Sequence, residues 1–169
     1  SPELDDVESL ALETILNPAN HFEKITWADM IIVDTPPTLG RRLLGALVAA
    51  HNVLTPIQPT GYATDGLERL LSTLEMVKAR FNPTLHFVGV LANKVNTKSP
   101  SQKAFMKTLI NELGDALIPQ MLVDRSPISD AVDSGRAVWN INSGAARVAT
   151  KEYKTVLQHM EDRFKIKEN

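Results

Sequence analysis

Trp27-Ala28-Asp29-Met30-Ile31-Ile32-Val33-Asp34-Thr35-Pro36-Pro37-Thr38-Leu39-Gly40 decides how the rest of this chain is read. Four apolar residues in a row, Met30 to Val33, predict a strand buried on both faces, because a half-exposed strand would alternate. The run stops at Asp34, which places a carboxylate at the carboxyl end of that strand, the edge where open α/β sheets bind ligands. Two prolines follow at once. They forbid a central strand beyond Asp34 and hold Thr35 extended, so a stiff, bent loop is expected to hang from the acid.

Outward from this stretch, strand and helix patterns alternate. Residues 4–16 carry a helical apolar stripe, Leu4, Val7, Leu10, Ala11 and Ile15, ended by Pro18 and Asn20. Leu39, Leu43, Leu44, Leu47 and Val48 mark a helix after the Asp34 loop. Arg41 and Arg42 sit near its start, where the helix dipole disfavours cations. They either point into water or meet an anion or partner. Val53 to Ile57 predicts a strand with Pro56 at its end or at an irregularity.

Asp65-x-x-Glu68 has the form of a capping box, followed by the stripe Leu67, Leu70, Leu71, Leu74 and Val77 and a stop near Phe81-Asn82-Pro83. Leu85 to Ala92 is a second buried strand, with Gly89 permitting a close backbone approach. Ser99-Pro100-Ser101-Gln102 supplies an N-cap, a first-turn proline and a third-position glutamine for a helix that ends at Gly114. Ala116 to Val123 reads as a last strand. A short helix from Pro127 to about Ser134 ends at Gly135, and a long helix over 144–166 closes the chain. This alternation implies an α/β domain with a mostly parallel sheet and helices on both faces. Residues 1–169 are expected to form a single domain, with 1–20 as a leading helix.

Composition excludes several functions. The chain has no cysteine, which removes disulfides, thiolate metal sites and iron–sulfur clusters. A formal net charge of −2 means that nucleic acid would have to be met by a local patch. His21, His51, His86 and His159 lack metal-ligand spacing, and no G-x-S-x-G elbow occurs. With no apolar span of membrane length and no signal-peptide pattern, no membrane role is expected and the location is taken as cytoplasmic. The start at Ser1-Pro2 reads as a cut, processed or truncated end.

The order of motifs is what identifies a family. The segment around Asp34-Thr35-Pro36-Pro37-Thr38-Leu39-Gly40, then Asn52-Val53-Leu54-Thr55-Pro56-Ile57-Gln58-Pro59, Gly66-Leu67, Val88 to Asn96, Ile118-Pro119, Ser129-Asp130-Ala131 and Gly135-Arg136-Ala137-Val138 resembles the ParA family of partition ATPases. These belong to the deviant P-loop ATPases that include MinD. The likeness covers roughly residues 25–160. One departure stands out. None of the eight glycines is followed by lysine, so no G-x-x-x-x-G-K-[ST] phosphate cradle is present. The chain looks like the carboxyl-terminal two-thirds of such an ATPase, without the amino-terminal P-loop strand and helix.

The resemblance implies roles for particular residues. Asp34 would be the Walker B acid that orients the water shell of a nucleotide-bound Mg²⁺, an ion that gives up its waters reluctantly. Thr35, Pro36 and Pro37 would form the segment sensing the γ-phosphate. Asn93 would either address the adenine ring or be an ordinary loop residue. Lys94, Lys98, Lys103 and Lys107, with no acid among them before Glu112, either are simply solvated or form a nonspecific DNA surface, which Arg125 and Arg136 would extend.

The implied cofactors are ATP and Mg²⁺. The implied partners are nonspecific DNA of the nucleoid, a centromere-binding partition protein, a second copy in a homodimer, and the missing amino-terminal segment. Without that segment the chain alone is expected to hydrolyse no ATP, and sheet edges would lie unpaired. The alternatives are a non-catalytic DNA- or protein-binding remnant and a MinD-like positioning ATPase, for which Arg163-Phe164-Lys165-Ile166-Lys167 is a weak membrane-helix signal.

Overall fold

The structure, a computed structural model, describes residues 18–35, 40–60 and 63–164. The stripe expected over 4–16, Pro36 and Pro37 of the expected switch, and the lysine-rich end after Phe164 lie outside the described residues. Helices and strands alternate from Arg41 on: α1 Arg41–Ala49, β1 Asn52–Ile57, α2 Ala63–Arg80, β2 His86–Ala92, α3 Pro100–Leu113, α4 Ser126–Asp133 and α5 Gly144–Glu161, with 3₁₀ turns at Gly114–Ala116 and Val138–Asn140. Among the described residues no helix is long and apolar enough to cross a membrane.

β1 and β2 pair in one sheet. The His86 N–H donates to the His51 carbonyl (2.9 Å) where the strands begin, and the Asn93 N–H donates to the Ile57 carbonyl (2.8 Å) where they end. Beginning meets beginning and end meets end, so the strands are parallel. Among the described residues β1 pairs on one side only, where the missing N–H of Pro56 goes unfelt.

A third line of chain runs beside β2, through parallel bridges Val90–Leu117 and Val95–Val123. It is not the continuous strand expected over Ala116–Val123. Ala116, the first residue of that range, belongs to a 3₁₀ turn, and Pro119, which has no N–H to donate, sits between the two bridges. Gly89 lies where this line comes closest. Its φ is +141°, and a Cβ there would stand 2.6 Å from the Ala116 carbonyl oxygen, which only glycine tolerates.

The expected strand at Met30–Val33 is absent. The segment has no regular structure, and Met30, Ile31, Ile32 and Val33 are all exposed, as is Trp27. It forms no ladder with any described strand. An apolar run becomes a buried strand only when neighbours satisfy its N–H and C=O groups and cover its side chains.

Contacts group the chain into two compact units. Among the described residues, one holds 18–35 and 40–53 with Gly66–His86, and the other holds 54–60 and 63–65 with 87–164. In the first unit α1 buries Leu44, Leu47 and Val48, while Arg41 and Arg42 open the helix and are exposed to water. α2 buries Leu67, Leu74 and Val77 at helical spacing. The Asn82 side-chain amide donates to the carbonyls of Leu47, Val48 and Ala50 (3.1, 3.0 and 2.7 Å). It thereby satisfies acceptors that the end of α1 leaves open.

Two clusters of described residues lie in the second unit. Leu91, Ile118, Leu122 and Val156 form one, and Ala131, Val138, Ala146 and Ala149 the other. Tyr153 of α5 packs against both.

Candidate nucleotide-edge loop and cationic surface

β2 delivers Asn93 to its carboxyl end, and the loop that follows is tied by amide side chains. The Asn93 Oδ1 accepts the Lys94 N–H (2.9 Å), which stabilises Lys94 at φ +51°, a conformation non-glycine residues adopt sparingly. Asn96 Oδ1 accepts from the Lys98 N–H (2.9 Å), and the Asn96 N–H donates to Gln102 Oε1 (2.7 Å). The Ser99 hydroxyl then accepts from the Gln102 N–H and caps α3, with Pro100 in the first turn. Each bond fixes part of the path from β2 to α3.

Lys94 and Lys98 in this loop and Lys103 and Lys107, four apart on α3, are all exposed. The two arginines grouped with them behave otherwise. Arg125 is held in a bidentate pair by Glu152 of α5, Nε to Oε2 at 3.2 Å and Nη2 to Oε1 at 2.6 Å. The hydrogen bond to Glu152 raises the Arg125 pKa, burial opposes it, and the charge of Glu152 adds to the rise. Arg136 Nη2 donates to the Asn140 carbonyl (2.9 Å) and braces the 3₁₀ turn. Beside the ion pair, the Tyr153 hydroxyl has a raised pKa, first from burial and then from the Glu152 charge.

Asp34 is exposed and Thr35 half-buried; both lie in the first unit, whereas Asn93 and the cationic residues lie in the second. Among the described residues no group of three or more His, Cys, Asp or Glu side chains could hold a metal ion.

Glu152 and Asn82 had no sequence signal, since their partners lie 27 and 32–35 residues away. A lone acid between Lys151 and Tyr153 and an asparagine before Pro83 look like ordinary surface and turn residues.

A family model described as "AAA domain" matches residues 5–87. The chain is 34% identical over 138 residues to Protein IncC of Escherichia coli, covering 82% of this chain and 38% of that protein. It is 29% identical over 110 residues to the chromosome-partitioning ATPase Soj of Thermus thermophilus, covering 65% of this chain and 44% of Soj. It thus spans less than half the length of either. Among solved structures, a plasmid partition protein of Borrelia burgdorferi bound to AMPPNP superposes with a TM-score of 0.73 at 16% identity, covering 93% of this chain and 60% of that one. At that identity the likeness is one of fold: a parallel sheet with flanking helices, as in P-loop NTPases. By sequence, over part of their length and with a fold to match, the chain is similar to the ParA, Soj and IncC partition proteins.

Proposed function

We propose that these residues form part of an ATPase that partitions a plasmid or chromosome. Asp34 serves as the Walker B acid, holding the water shell of the nucleotide's Mg²⁺. Thr35, Pro36 and Pro37 form the γ-phosphate switch, and Asn93 addresses the base. Lys94, Lys98, Lys103 and Lys107 offer nonspecific DNA a cationic surface, with Arg125 and Arg136 at its margin. The phosphate loop, absent from these 169 residues, is contributed by residues outside them. The working form is a nucleotide-bound dimer at the nucleoid, whose hydrolysis a centromere-binding partner controls.

Similarity to chromosome-partitioning ATPases, over a parallel α/β frame, carries this reading. Bound ATP and Mg²⁺ would supply the phosphoryl chemistry. This chain's share is to orient, through one carboxylate on the ion's water shell and one amide on the base.

ATP turnover provides the test. The chain alone should show none. A longer form of the protein that carries a phosphate loop should turn over ATP and lose that activity on Asp34→Ala. Turnover by the chain alone, abolished by the same substitution, would overturn the division of the site. An active Asp34→Ala long form would overturn the role of the acid.

A further inference from the structure

Helix α5 carries its charges in an order that works against its own stability. Ala146, Ala149, Tyr153 and Val156 turn to the core. Arg147, Lys151 and Lys154 are exposed, and at 3.6 residues per turn they fall within about 60° of one another, roughly opposite that face. They stand four and three residues apart in sequence, spacings at which like charges on a helix repel. Among the described residues none of the three side chains has a hydrogen bond or an ion pair. Glu152 lies about 100° or more round the helix from each of them, and its carboxylate is held by Arg125. Arg147 is the fourth residue of the helix, near the end where the dipole disfavours a cation, while Glu161 and Asp162 stand at the end where it disfavours an acid. Helix stability alone favours the opposite arrangement.

We infer that the Arg147–Lys151–Lys154 stripe is a seat for the sugar–phosphate backbone of duplex DNA, bound without regard to sequence. This rests on the DNA-binding part of the proposed function and deepens it, adding α5 to the loop and helix that carry Lys94, Lys98, Lys103 and Lys107. A polyanion offsets both the repulsion within the stripe and its conflict with the dipole. The lengths agree: the stripe runs over seven residues, about 10 Å, and each DNA strand presents a phosphate about every 3.4 Å of axis. Laid along the duplex, three cations therefore meet about three phosphates of one strand. A lipid surface suits α5 less well, since a helix lying on a membrane inserts its apolar face, and that of α5 is buried in the core.

The test is titration of a short labelled duplex with the full chain at several salt concentrations, with a thermal melt of each variant alongside. Arg147→Gln/Lys151→Gln/Lys154→Gln should make the slope of log affinity against log salt shallower by about 2 to 3, from three contacts at about 0.9 each, and weaken binding on the order of a hundredfold near 0.1 M salt. Its melting temperature should not fall, because the charges removed repel one another. A role in the fold alone would lower the melt and leave the slope unchanged. The charge-keeping variant Arg147→Lys/Lys151→Arg/Lys154→Arg should bind with the parent's slope. Should the triple glutamine variant not fold, Lys151→Gln alone, at the middle of the stripe, should make the slope shallower by about 0.9.

An unchanged slope in the glutamine variants, with the parent still binding, would overturn this inference and leave the DNA-binding reading to Lys94, Lys98, Lys103 and Lys107. A parent chain that binds no duplex even at low salt, whether or not it binds vesicles of anionic phospholipid, would overturn both.

Discussion

Two apolar runs of this chain, Met30-Ile31-Ile32-Val33 and Val88-Gly89-Val90-Leu91, carry the same signature and end in opposite states. Val90 is 0% exposed in the middle of β2, whereas Ile32 is 86% exposed in a segment with no regular structure. Intrinsic strand preference does not separate them. If anything it favours the first run, which has no glycine. Neighbours separate them. β2 has β1 along one edge and the Leu117–Val123 line along the other, while Met30–Val33 has no described strand beside it. Burial of such a run belongs to the sheet around it, and the sequence of the run only makes it eligible.

The contrast can be broken most severely at its two centres. Val90→Asp puts a charge where no water reaches and should cost about 4 kcal/mol or more, whereas Ile32→Asp in the same chain should stay within about 0.5 kcal/mol. Urea midpoints of the two variants measure the difference. Equal destabilisation would mean that the first run is buried after all.

Gly89→Ala comes next. The left-handed backbone and the 2.6 Å approach of the Ala116 carbonyl predict a loss of about 3 kcal/mol, with the Leu117 line pushed from β2. Loss of amide protection at Ile118 and Leu122, which donate to β2 carbonyls, would locate the effect.

Asn82→Ala tests whether a long-range polar contact matters as much as a strand neighbour. Three carbonyls lose their donor, and about 2 kcal/mol should go, confined to the unit that holds α1.

The smallest effect is a pH slope. The Tyr153 hydroxyl has a folded pKa above the ordinary 10.0, so the unfolded chain loses its proton first. Stability is then unaffected below that value and falls as pH rises past it. Tyr153→Phe should flatten this alkaline fall by less than about 1 kcal/mol, read from melts above pH 10.

Local chemistry was legible where it was self-contained. Ser99 and Pro100 start α3 as their spacing implies, although Gln102 reaches back to Asn96 and not to the cap residue. Strands at Val53–Ile57 and Leu85–Ala92 appear within a residue of expectation. The Asp65-x-x-Glu68 box falls inside α2, which begins two residues earlier. Legibility failed wherever the deciding partner was distant. Pro119 interrupts the third line between a bridge to β2 at Val90 and a bridge at Val95, beyond the end of β2, and neither partner is near it in sequence. Arg125 reads as one more cation until Glu152 is found in its fork. Asp34 was read as the tip of a buried strand because a four-residue apolar run implies burial, and nothing in the run says who provides it.

Amide hydrogen exchange at Met30–Val33 tests the central claim most directly, with Val88–Ala92 as the internal reference. In this chain alone the first run should exchange at nearly the rate of an unfolded peptide while the second stays protected. In a longer form of the protein that carries a phosphate loop, with ATP and Mg²⁺ present, both should be protected. Protection of Met30–Val33 in the chain alone, or its continued rapid exchange in the long nucleotide-bound form, would contradict a site whose acid is seated by a strand from outside these residues.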